Sequence, residues 1–128
     1  MIAVIIAFCI LILSFSFFTV SYQITGVNRL VLGAPISLFE TAINMYGIDE
    51  TEGPYFDKET LVHNITYYFD YHMPRYTKDY TLDFYYYNIE DHSLDMSKKV
   101  KAVEVGVNAN LTLSYHYQKT MYYEIRSN

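Results

Sequence analysis

The run from Ile2 to Tyr22, IAVIIAFCILILSFSFFTVSY, constrains this chain more than any other feature, because it contains no charge, no proline and no glycine. At about 1.5 Å per residue, a helix of that length reaches roughly 32 Å, enough to cross a hydrocarbon core of about 30 Å. A transmembrane helix over residues 1–23 is therefore the leading expectation. The competing reading is a cleaved signal peptide, for which Ser14-Phe15-Ser16 offers small residues at the A-x-A spacing. Against it, the run lacks a basic n-region and stays apolar beyond those serines. Arg29 is the one basic residue close behind the run, so the positive-inside rule gives little direction. Almost no chain precedes the run and the remainder is acidic, so the expectation is that residues 24–128 lie outside the cytoplasm as a single extracytoplasmic domain.

About 100 residues beyond the apolar run make one domain with a small core. Hydrophobic residues are 52% of the chain, yet mean hydropathy is only +0.04. Much of the apolar share is tyrosine, with 15 Tyr against no Trp. Tyrosine buries its ring and keeps its hydroxyl wet, so one residue type can supply both core and contact surface. The net charge of −5 and the scattered basic residues exclude a nucleic-acid partner, which requires a concentrated positive face. The lone cysteine, Cys9, lies in the apolar run, leaving neither an intrachain disulfide nor a thiolate metal site.

Past the run, Val27, Leu30 and Val31 recur at helical spacing, so the first helix is expected to continue until Gly33-Ala34-Pro35 stops or kinks it. Pro35 then suits the first turn of a second helix of about three turns, with Leu38, Phe39, Ala42, Ile43 and Tyr46 as its stripe and Gly47 as its end. An acidic connector follows at residues 49–54. A third helix starts at the cap Asp57, carries Leu61, Val62, Ile65, Tyr68 and Phe69 on one face, and ends before Met73-Pro74. Residues 81–89 (TLDFYYYNI) read as a strand, followed by a polar turn over 90–99. From Val103 to Tyr117 the odd positions are apolar and the even ones small or polar, the pattern of a strand with one buried face. So long a strand hides a hairpin. An odd-numbered loop preserves the faces, which leaves Asn108-Ala109-Asn110 or Gln118-Lys119-Thr120, and the second is preferred because it pairs Tyr117 with Met121. The expected fold class is α+β: an N-terminal transmembrane helix extending into two short helices packed on a C-terminal three-stranded antiparallel sheet.

Catalytic chemistry finds no footing in these residues. There is no G-x-S-x-G, no H-E-x-x-H and no phosphate-cradling glycine loop. The four histidines, His63, His72, His92 and His116, are scattered along the chain, and the carboxylates Asp91 and Asp95 sit in a polar turn. No enzyme activity, cofactor or metal is expected. Two glycosylation sequons, at Asn64 and Asn110, are of a kind that chance supplies often. The unusual property is aromatic density, and the candidate interaction surface is Tyr85, Tyr86, Tyr87, Tyr115, Tyr117, Tyr122 and Tyr123. Core packing of those same rings is the equally weighted alternative. Ala3 and Ala7 form a small-xxx-small pair that suits helix self-association in a membrane.

An apolar helix leaving the membrane, a short helical region and a closing antiparallel sheet resemble the type IV pilin and pseudopilin plan. More narrowly, the segments YGI (46–48), FDKE (56–59), the YYF run (67–69) and the alternating strand resemble the small TadE-like proteins of tight-adherence pilus systems. The resemblance implies a non-catalytic, membrane-anchored subunit of a pilus or secretion-type envelope assembly, with the membrane and other envelope or pilus-assembly proteins as partners. Pilins carry a glutamate early in the apolar helix, whereas the first acidic residue here is Glu40, which fits an anchored accessory subunit better than a filament subunit. The alternative expectation is a single-pass extracytoplasmic ligand-binding or sensor domain.

Overall fold

The structure is a computed structural model, and it describes residues 1–44, 54–88, 93–94 and 100–125. The fold is α+β. Helix α1 spans Ile2–Leu32 without a break, so the boundary placed at residue 23 falls inside one continuous helix. Gly33 ends it, its N–H donating to the Arg29 carbonyl at 2.8 Å, and the Tyr68 hydroxyl satisfies the free Leu30 carbonyl at 3.0 Å. Helix α3, Lys58–His72, begins after Asp57 as expected, and the Asp57 carboxylate accepts the Thr60 hydroxyl at 2.8 Å. Leu61, Ile65 and Phe69 form its buried stripe, which continues into Met73 on the 3-10 turn Met73–Arg75. Val62, expected on that stripe, lies at its edge and is exposed.

Helix α2 is much shorter than the spacing suggested. It spans only Ser37–Glu40, and the expected stripe member Ile43, with Asn44, instead forms strand β1, paired antiparallel with β2, Tyr55–Phe56. The reason is a competing partner: the Ala42 carbonyl, which a longer helix would use, accepts the Asp57 N–H at 2.8 Å. Tyr46, Gly47 and the acidic connector lie outside the described residues except for Pro54, as does most of the 90–99 turn.

The main sheet has the order β3-β4-β5 and is antiparallel throughout, with β3 at Tyr80–Tyr87, β4 at Ala102–Asn110 and β5 at His116–Glu124. Its hairpin turn lies at neither expected place. The chain reverses through residues 111–115, pairing Asn110 with His116 and Ala109 with Tyr117. Five residues is an odd number, so the alternation passes through the turn unbroken and looks like a single long strand. Leu113 and Tyr115, which continue the apolar series, are turn residues and exposed.

The inner face carries Leu82, Phe84 and Tyr86 from β3, Val103, Val105, Val107 and Ala109 from β4, and Tyr117, Met121 and Tyr123 from β5. Against it pack Val27 and Val31 of α1, Phe39 of α2, Phe56, and the α3 stripe. The C-terminal part of α1 lies along β5 in the same sense. Gln23 accepts the Thr112 N–H at 3.0 Å at the foot of the strand, and Asn28 accepts from Tyr117 Oη at 3.0 Å and Lys119 Nζ at 3.1 Å farther up. The 111–115 turn and the 73–79 connection therefore form the end of the domain nearest to the N-terminal half of α1. From Ile2 to Phe18 the large apolar side chains of α1 are exposed.

Candidate functional site

The seven tyrosines of the candidate surface divide into three groups, because residues i and i+1 of a strand face opposite ways. Tyr86, Tyr117 and Tyr123 point inward. Tyr123 stacks on Phe39 at 5.1 Å between centroids and meets the edge of Phe56 at 5.9 Å, while Tyr117 is buried with its hydroxyl on Asn28. Tyr86 faces the core side, and Lys58 Nζ sits 4.5 Å from its ring centroid, a cation–π contact. These three belong to packing and helix docking rather than to an outward surface. Tyr85 and Tyr122 lie on the outer face, both paired with Glu104 from opposite sides, and both are exposed. Tyr87 joins them by donating its hydroxyl to Glu104. Tyr115 is exposed in the turn, at a different end of the domain.

The outer face thus centres on one carboxylate ringed by phenols. Tyr122 Oη donates to Glu124 at 3.1 Å, and one strand pair further along, Asn108 Nδ2 donates to Asp83 at 3.1 Å. The hydrogen bond to Glu104, then desolvation and the nearby negative charge hold the Tyr87 hydroxyl above its ordinary range. Desolvation, then Glu124 and Glu104, raise Tyr122. Burial raises Tyr68, Tyr86 and Tyr117, and burial plus the hydrogen bond to Asp70 raises Tyr80 strongly.

These shifts share one sign and one consequence. A raised phenol is kept neutral by the fold, so above the ordinary value of 10.0 the folded domain holds protons that the unfolded chain has lost. Stability from these tyrosines is complete below about pH 10 and falls as the pH climbs above it. Tyrosinate absorbance followed together with far-UV circular dichroism is expected to show a late group of phenols ionising as the sheet signal disappears. Titration of all the phenols near the ordinary value, with the fold intact, would contradict these assignments.

A second surface was not foreseen from the sequence. The outward side of α3 forms an open groove of about 580 Å³ lined by Lys58, Val62, His63, Thr66, Tyr67 and Asp70, among others. Tyr67 and Tyr71 project there or beside it and are strongly exposed. The signal was present in the sequence, since Tyr67 and Tyr71 fall off the 61/65/69 stripe yet are aromatic.

Among the described residues, no three His, Cys, Asp or Glu side chains gather as a metal site. His63 and His72 stand on α3 beside Tyr67 and Tyr68, and His116 Nδ1 on β5 lies 3.1 Å from Asn110 Oδ1 on β4. The amide nitrogens of both sequon asparagines donate within the fold, Asn64 to Leu38 and Thr41 and Asn110 to Asp79. α1 is long and apolar enough to cross a membrane, and none of its most apolar window is buried by the rest of the chain. Compared with known proteins, the chain matches no family profile, no curated sequence and no solved structure.

Proposed function

We propose that this protein is a non-catalytic, single-pass membrane protein that presents its α+β domain outside the cytoplasm as an accessory subunit of a pilus or secretion-type envelope assembly. The observation that carries this reading is the division of α1: its first half is bare and apolar, while Val20, Val27 and Val31 of its second half are packed into the domain. One rigid rod thus couples a lipid-facing segment to a folded sheet, the arrangement expected of a pilin-like subunit. Inside the apolar half, Ser16 Oγ and Thr19 Oγ1 donate to the Ile12 and Phe15 carbonyls at 3.0 Å, so these hydroxyls need no water. The outward row of Tyr85, Glu104 and Tyr122 is the partner-facing surface.

Two measurements test the reading. The native chain is expected to stay with membranes through alkaline extraction with Met1 intact, whereas a chain with both Ile6→Arg and Ile10→Arg loses about 5–7 kcal/mol of insertion free energy and leaves them. Equal extraction of both forms, or a new N-terminus near Ser16 or Ser21, would sink the anchor. For the assembly, a photo-crosslinker at Tyr85 or Tyr122 is expected to capture a membrane-embedded component or a second copy, and monomer alone in intact cells would count against it. The α3 groove favours a second reading, a ligand-binding or sensor domain, which a ligand raising the Tm of the reconstituted protein would support.

A further inference from the structure

A span of about 20 residues beginning at Ile2 ends near Ser21. Two residues later, Gln23 pins two separate loops to the helix, accepting the Thr112 N–H at 3.0 Å and donating to the Tyr76 carbonyl at 2.9 Å. The loops held at this level present an unusual set of side chains. Leu113 is 54% exposed at the tip of the 111–115 turn, flanked by exposed Tyr115, and Tyr22 is 58% exposed on the helix beside them. The Tyr22 ring lies 5.4 Å from that of Tyr76, and Tyr76 is bracketed by the exposed bases Arg75 and Lys78.

Leu113 has no packing reason to be there. Its φ is 61° and that of Ser114 is 58°, a left-handed conformation that a branched apolar residue with a Cβ rarely adopts. The turn thus holds a leucine in a disfavoured backbone state while aiming it into solvent. Water rewards neither feature. A bilayer interface rewards the exposure, because it takes up the leucine, the amphipathic tyrosine rings suit head-group depth, and Arg75 and Lys78 suit contact with lipid phosphate. The patch also adjoins the bare apolar half of α1, since exposed Tyr22 lies one helical turn beyond exposed Phe18.

We infer that the 111–115 turn, with Tyr22 and the Arg75–Lys78 segment, is a lipid-docking surface that seats the domain on the bilayer and fixes its tilt, with Leu113 entering the interface and the two bases engaging anionic head groups. This rests on α1 being a membrane span, and the test separates the two ideas. The full chain carrying Cys9→Ser is reconstituted into vesicles of mixed phosphatidylcholine and phosphatidylglycerol, with one fluorophore at Ile10→Cys, Leu113→Cys or Ile36→Cys, and lipid-borne spin labels act as quenchers. Ile36 is exposed at the opposite end of α1 and serves as the water-side reference. Loss of emission at positions 10 and 113 but not at 36 is expected, with the loss at 113 weakened by Arg75→Glu combined with Lys78→Glu or by vesicles of phosphatidylcholine alone. Quenching at 10 with 113 as bright as 36 overturns the docking surface and leaves the span standing. An unquenched fluorophore at position 10 overturns the span itself.

Discussion

Replacing Phe69 with alanine is expected to cost about 3–5 kcal/mol, the range for emptying a fully buried aromatic site. Phe69 is 0% exposed and belongs to the cluster where α3 meets the sheet, with the Tyr68 ring edge-on at 5.1 Å. Few routes for collapse exist there, because Leu61, Ile65 and Met73 on the same stripe are also completely buried. A domain of this size has about 5–15 kcal/mol in total, so one truncation removes a large part of it. In Tm the loss corresponds to a fall of about 15–30 °C. Tyr67, two residues earlier and 66% exposed, is the internal reference, and Tyr67→Ala should move stability by less than about 0.5 kcal/mol. Thermal unfolding of both variants in detergent checks this; similar Tm values would mean that α3 does not pack as described.

Gly26→Val is expected to pry the second half of α1 from the domain. A Cβ at position 26 would stand 2.1 Å from Tyr76 Cε1 and 2.3 Å from Cζ, far inside contact distance. The ring is not free to leave, since Tyr22 lies beside it and the Tyr76 carbonyl is bonded to Gln23. Overpacking of this kind costs about 1–3 kcal/mol or more. Alanine brings the same clash but recovers about 0.5–1 kcal/mol of helix propensity, so Gly26→Ala should be milder. Combining Gly26→Val with Tyr76→Ala removes the obstacle, and the pair should be less damaging than the sum of the single changes by about 0.5–3 kcal/mol. Hydrogen exchange along residues 20–32 reads the undocking directly; strictly additive effects would show that the ring is not the obstacle.

The contrast between these two positions shows what was legible in the sequence. The stripe of Leu61, Ile65 and Phe69 follows from helical spacing, and the inward Val103, Val105 and Val107 from strand alternation, because burial on one face writes itself as periodicity. Gly26 carries no such mark. Nothing around it announces that a ring from residue 76 needs the space. The second helix is short for a related reason: its stripe is a good helical pattern, but Asp57 offers the Ala42 carbonyl, and β2 the strand Ile43–Asn44, a long-range partner that spacing does not reveal. The hairpin was misplaced because an odd-length turn leaves parity intact, so 111–115 is invisible to an argument based on alternation.

For the tyrosines the division is similar. Composition determined that there are more rings than a core of this size needs, and strand parity separates Tyr85 and Tyr87 from Tyr86 once the faces are known. Only the packing decided that Tyr117 and Tyr123 serve α1 and Phe39 while Tyr122 stays outside with Glu104. The sequence by itself determined the apolar rod, the helical stripe of α3 and the two-faced strand, since each is a local pattern of which side chains avoid water. The tertiary structure alone decided where α1 passes from bare to docked, which loops Gln23 gathers at that level, and that a strained leucine stands exposed beside them. Those facts depend on residues about 50 to 90 positions apart meeting in space, and local periodicity holds no record of them.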